Sequence, residues 1–461
     1  MKRHVACAVF FGVAVAGAAT VDQVIVRQQW PWSTDVKVEW RISGVTGPVD
    51  INVRAFDGEE EVNPSDLAVS ITGARYGVTS SSGYFIIDPV KALGKSKIST
   101  ARFRVSLSLS DSPANLDEAL YRIYNLQSPY DVTNVTRKAL LNGEWGDIVT
   151  DFSTLGDGFN TTLDDVIIWT AVTNDVKYKT THLVMRKIHA ADKIWKIGSP
   201  SNEEGRNMSL DDETQHNVKL TQDYYIAVFE TTQAQHKKFR TVSRTPAFTG
   251  DTLPMETVHY SALRGNLSTL DANGEKVNWP TNSNKHAIYA SSDIGNLRSK
   301  FDGLEFDLPT EAQWEFACRA GTTNALNSGK SLRRDGDPAY HWKNDFPNFN
   351  ELGWCVSNAV DTTHIVGLKK PNAFGLYDMH GNVAEQCINW RGDYDAFQPG
   401  ADPIVNPTGP ASDNSNRNVR GGDWTQSAVR GRSAMRDYNS AYYTGYSRIG
   451  FRLVCPVGKT W

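Results

Sequence analysis

LPTEAQWEFACRAGTT (308–323), KKPNAFGLYDMHGNVAEQ (369–386) and VRGGDWTQSAVRGRSAMR (419–436), with SRIGFRLV (447–454) close behind, decide the reading of this chain. The first segment carries its own helix logic. Thr310 is a helix N-cap, Gln313 stands three residues on to close a capping box, Trp314 and Cys318 share one face, and Gly321 is the stop. The second is a glycine turn that brings side-chain and backbone oxygens to one side. The third joins a glycine pair to a run of arginines and is followed by a polar, aromatic strip.

At 461 residues the chain is too long for one ordinary core, so more than one domain is expected. A hydrophobic share of 40% against 22% charged residues places it among folded, globular chains. Its net charge of -4 gives no basic footprint, and no nucleic-acid partner is expected. Lys2, Arg3 and His4 precede an apolar run over 5–15 and the small residues Ala16, Gly17 and Ala18. This pattern reads as a cleavable export signal over 1–19, and the expected location is secreted or periplasmic. No later run is apolar and long enough to span a membrane.

Residues 20–126 read as a β-sandwich. Val36, Val38, Trp40 and Ile42 alternate with polar residues, as do Val49, Ile51, Val53 and Ala55, and Phe103, Val105, Leu107 and Leu109. Asp57, Glu59, Glu60 and Glu61 form an acidic run read as a solvated turn. A connecting region follows over 127–182, read as a bridge that packs on both neighbours, with a helix opened by Tyr130, Asp131, Val132 and Thr133, running through Arg137 to Leu141 and ending at Gly143, and a short buried strand over 164–169. In YYIAVFETTQAQHKKF (224–239) a strand enters a helix that Thr231 or Thr232 can cap.

In their order, these segments resemble the formylglycine-generating enzyme family, the sulfatase-modifying factors, over 183–457. The resemblance implies an α+β chain with a C-type-lectin-like C-terminal domain behind the sandwich. It also implies calcium held by Asp378 and Glu385 with the carbonyls of Gly381 and Val383, a set of hard oxygens, and Asn358 as a weaker candidate for a second site. Family members carry two copper thiolates after the glycine pair. Gln426 stands at the first position and Gly431 or a gap at the second, so copper and formylglycine formation are not expected, because Cu(I) needs soft sulfur. Ala384 and Gln386 replace two family tryptophans, which requires the surroundings to repack or open. The resemblance pairs Cys318 with Cys455 and leaves Cys355 and Cys387 as a second disulfide or as two thiols, while the favoured reading of the residues is four thiols with no catalytic role.

Trp424, Gln426, Arg430, Arg432, Arg436, Tyr438, Tyr442, Tyr443 and Arg448 form the candidate ligand surface, with the composition of an adaptable recognition patch. The expectation is an exported, calcium-stabilised peptide- or glycan-binding module with a cell-surface or periplasmic protein partner. The alternative is a divergent, iron-dependent oxidoreductase on the same scaffold. The histidines from His182 to His380 lack the HxxxHxE spacing of related iron enzymes.

Overall fold

A computed structural model describes residues 19–457, apart from 29, 100, 113, 150–166, 207–212, 266–287, 303, 333–345, 393–399, 410–415 and 441–444. Residues 1–18 of the expected export signal lie outside the described residues. The chain is α+β, rich in short strands, and divides into two compact units. Among the described residues no helix is long and apolar enough to cross a membrane.

The first unit is the expected sandwich. Strands Thr20–Gln28, Val36–Ser43, Ser82–Ile87 and Ile71–Thr72 form one sheet in that order, and Glu60–Glu61, Val49–Asp57 and Phe103–Asp111 form the other. Period-two alternation directs Val36, Val38, Trp40 and Ile42 from one sheet, and Ile51, Ala55, Phe103 and Val105 from the other, into one shared core. The acidic run is the hairpin expected of it. Asp57 pairs with Lys95, and Glu61 with Arg54.

The boundary differs from the sequence reading. Ala119–Asn125, assigned above to the sandwich, is a strand of the second unit's five-stranded sheet, between His182–Ile188 and Val132–Thr136. The connecting region 127–182 divides between the units: Val135–Val149 and Trp169–Ala171 belong to the first, while Tyr121–Asn134 and the chain from Val172 belong to the second. Register decides this, because Val184 of the later strand pairs with Ile123 of the earlier one. The expected helix forms only over Arg137–Leu141, capped by the Thr136 hydroxyl, because Val132–Thr136, at its expected opening, pairs as a strand. The expected strand over 164–169 appears as Ile168–Trp169, the residues before 167 lying outside those described.

Among the described residues the second unit holds four sheets around irregular segments, the smallest the pair Gly353–Trp354 and His380–Gly381. Beside the five-stranded sheet stand Ile194–Ile197, His216–Lys219 and Ile404–Val405, and the set Asp437–Ser440, Asn416–Arg420, Ala384–Trp390 and Ile449–Gly450. Helix Glu311–Arg319 starts at Thr310 with the expected capping box to Gln313, and every one of its residues is buried. Its stop is Ala320 in the left-handed region (φ 43°), one residue before the expected Gly321. Burial on all sides is unusual for a helix that carries charge, and internal ion pairs satisfy it. Arg319 and Arg420 bond Glu315, and Arg436 bonds Glu311.

Candidate functional site

The glycine turn of the second segment is a left-handed corner. Asp378, Gly381 and Asn382 all have positive φ (56°, 77° and 60°). At Gly381 a Cβ would strike the Trp354 carbonyl, so only glycine fits there. Asn382 then locks the corner: its amide donates to Glu230 Oε2 (2.6 Å), and its carbonyl accepts from His364 N (2.9 Å). Val383 N donates to Glu230 Oε1 (3.0 Å).

Glu385 points into the protein and meets a guanidinium. Arg452 Nε lies 2.8 and 2.7 Å from its two oxygens, Arg452 Nη2 lies 2.6 Å from Oε1, and Trp314 Nε1 donates to Oε2 at 2.6 Å. Of the four residues expected to hold calcium, Glu385 is thus bound by Arg452 and Trp314. Calcium needs several free oxygens facing one point, and both Glu385 oxygens are already committed to Arg452 and Trp314. Among the described residues no group of three or more His, Cys, Asp or Glu side chains has metal-holding geometry. Asn358 binds locally, donating to Asn350 Oδ1 and Gly353 O.

Asp378 accepts from Gly367 N (2.6 Å) through Oδ2, while its buried Oδ1 has no partner. Burial pushes its carboxyl up to about 6. Burial, with Asp378 and Glu385 nearby, also drives Glu230 upward. Arg452 is the cation that this carboxylate group shares. His380, next to the turn, is held neutral: Nδ1 donates to Gly431 O (2.6 Å), Nε2 accepts from Asn327 N (3.0 Å), and burial presses it down to about 4.

Ala384 and Gln386 are repacked rather than opened. Ala384 sits with Val419 and Ile449, and buried Gln386 donates to Val258 O (2.7 Å). In the third segment Gln426 donates to Asp437 Oδ2 (3.2 Å). A Cβ on Gly431 would come within 2.5 Å of the Phe349 ring, so a side chain at this position has no room.

The candidate ligand residues separate by orientation. Arg432 and Arg436 turn inward, Arg432 to Glu213 and Glu203 and Arg436 to Glu311. They build the domain and do not face a ligand. Trp424, Arg448 and Tyr446 come together at the surface. Trp424 Nε1 donates to Ser447 O (3.1 Å), and Arg448 lies 3.7 Å from Asp423 and 5.5 Å over the Tyr446 ring. Phe248 packs edge-on against Trp424 with ring centres 5.2 Å apart. The sequence reading missed Phe248, since nothing in its local pattern announces a contact made so far along the chain. Arg430 and Tyr438 are exposed, and Gln426 links the patch to Asp437 beside Tyr438. Tyr442 and Tyr443 lie outside the described residues.

The Cys318–Cys455 disulfide that the resemblance implies does not form, and the reading of four thiols without a catalytic role agrees with the structure. Cys318, Cys355, Cys387 and Cys455 are all buried free thiols. Cys318 donates weakly toward Met379 O and Ser433 Oγ, and Cys455 sits in a strand opposite Tyr225, so each is spent on packing. Burial drives Cys318 and Cys455 each up to about 12, far from a reactive thiolate.

Comparison with known proteins places this geometry. The bovine formylglycine-generating enzyme (Bos taurus) is 34% identical over 152 residues, covering 32% of this chain and 37% of that protein. Chaperone protein LppX of Paenibacillus barcinonensis is 28% identical over 189 residues, covering 38% of this chain and 65% of that protein. The chain thus spans less than two thirds of the length of these relatives. Among solved structures, Treponema denticola variable protein 1 aligns over 60% of this chain and 96% of its own, at 24% identity and a TM-score of 0.42. A family profile, the sulfatase-modifying factor enzyme 1-like domain, matches residues 193–457, the larger part of the sequence, and the chain belongs to that family.

Proposed function

We propose that this chain is an exported sulfatase-modifying-factor-like protein that binds a peptide or glycan and does not generate formylglycine. The observation that carries the reading is the pair Gln426 and Gly431 at the positions of the copper thiolates, with the Phe349 ring standing where a side chain on residue 431 would go. Neither an amide nor a bare backbone supplies the soft sulfur that Cu(I) requires. The four thiols elsewhere in the domain are buried in packing. What the scaffold keeps is a surface of large rings and one cation, Trp424, Phe248, Tyr446 and Arg448, beside the buried carboxyl of Asp423. Rings with few rotatable bonds lose little entropy on contact, which suits recognition. Export is supported by the basic, apolar and small-residue order of the first 18 residues.

The test exposes the purified chain, with copper and oxygen, to a cysteine peptide of the sulfatase type and follows the peptide by mass spectrometry. In parallel, peptide and glycan arrays are probed with the wild type and with Trp424→Ala/Arg448→Ala. An unmodified peptide, with array binding that the double variant loses, supports the reading. Conversion of the cysteine to an aldehyde overturns it, and so does array binding that the double variant keeps.

A further inference from the structure

The hairpin joining strands Thr20–Gln28 and Val36–Ser43 ends in Trp30, Pro31 and Trp32, and both indoles face solvent, Trp32 at 84% and Trp30 at 40% exposure. Large apolar rings held in water at a loop tip contribute nothing to the core, so a binding role is the economical explanation. The tip is clamped. Gln28 donates to Thr34 O (2.5 Å) and Ser96 O (3.1 Å), and its carbonyl accepts from Ile98 N (3.1 Å). The rings therefore ride on a fixed turn, which reduces the ordering cost of contact.

The neighbouring charges narrow the partner. Lys95 and Arg102 face Asp57, Arg27 and Lys37 face Glu39, and Lys91 faces Asp147. Asp35 and Lys97 are exposed. A tip built to enter an anionic bilayer gains from unpaired basic residues, and here nearly all are paired. Asp35 also lines a cavity of about 430 Å³ with Ser70, Thr72, Asp88, Lys91 and Asp147, a size suited to a small ligand. Flat aromatic rings next to hydroxyls and carboxylates complement a sugar, which offers an apolar C–H face ringed by hydroxyls.

We propose that this end of the N-terminal sandwich binds a neutral polysaccharide, with Trp32 and Trp30 stacking on sugar rings and the rim around Asp35 taking hydroxyls. The site is separate from the C-terminal patch, and its test leaves that patch intact. The full chain is mixed with insoluble cellulose, insoluble β-1,3-glucan or granular starch, and depletion from solution is measured for wild type, Trp32→Ala, Trp30→Ala/Trp32→Ala and Asp35→Asn. Melting curves establish that each variant folds. The expected result is retention on at least one polysaccharide, insensitive to salt, and weakened at least tenfold by the double substitution, with a smaller loss for Asp35→Asn. Three outcomes overturn the proposal: no retention on any probe, equal retention by the double variant, or tip-dependent binding to phosphatidylglycerol vesicles in place of polysaccharide.

Discussion

Replacing Arg452 by methionine tests whether an internal guanidinium, and not a bound metal, holds the glycine turn. Methionine keeps the apolar stem and removes the cation that, among the described residues, pairs with Glu385, which lies in a buried group with Glu230 and Asp378. The lost contacts include hydrogen bonds to Ala227 O (2.9 Å) and Tyr377 O (2.8 Å) as well as to both Glu385 oxygens. Removing one partner of a buried ion pair costs about 3–5 kcal/mol, because the remaining charge stays desolvated. For a domain of this size that is a fall of roughly 6–20 °C in melting temperature. The carboxylates can relieve part of the strain by taking up a proton, so the loss is expected to be larger at pH 8 than at pH 5. Differential scanning fluorimetry and urea unfolding, each with calcium and with chelator, measure it. The reasoning fails if Arg452→Met stays within about 1 kcal/mol of wild type. It also fails if a chelator lowers the wild-type melting temperature and calcium restores it.

Three further outcomes are expected. Asp378 is raised by burial to about 6, above its unfolded value, so the folded state binds the extra proton between about pH 4 and 6; its contribution is present at low pH and lost as pH rises through 6. His380, pressed down to about 4, acts oppositely, its neutral form losing ground as pH falls from about 6.5. The wild-type stability minus that of Asp378→Asn should therefore rise on going from pH 7 to pH 5, by on the order of 1–2 kcal/mol, and a flat difference would reject the assignment. Gly431→Cys should destabilise by about 1–3 kcal/mol through collision with Phe349 and be partly relieved by Phe349→Ala, whereas Gln426→Cys should be mild. The thiols of Cys318, Cys355, Cys387 and Cys455 should react with a thiol reagent only after unfolding, and rapid reaction in the native protein would contradict their burial.

Much of the fold was legible in the chain because local rules govern it. Thr310 and Gln313 are three residues apart, and a capping box needs nothing else. Strand alternation in the sandwich likewise needs only one buried face, whereas the helix ending at Leu141 starts at Arg137 and not at 130–133, because Val132–Thr136 is drawn into a sheet by a distant strand. The site was less legible. Arg432 and Arg436 look like surface arginines in sequence, and their acidic partners, Glu213 and Glu311, lie far away along the chain. Their inward turn could not be read from spacing.

What the sequence by itself determined is the family, the helix caps, the alternating strands and the lack of sulfur at positions 426 and 431, since each depends on residue identity or near neighbours. Tertiary structure alone decided that Glu385 answers Arg452, that Cys318 and Cys455 stay apart as thiols, and that Ala119–Asn125 joins the second unit's sheet. Those outcomes turn on which distant groups share a low-dielectric interior, where a buried charge must find its counter-charge and a strand edge its partner.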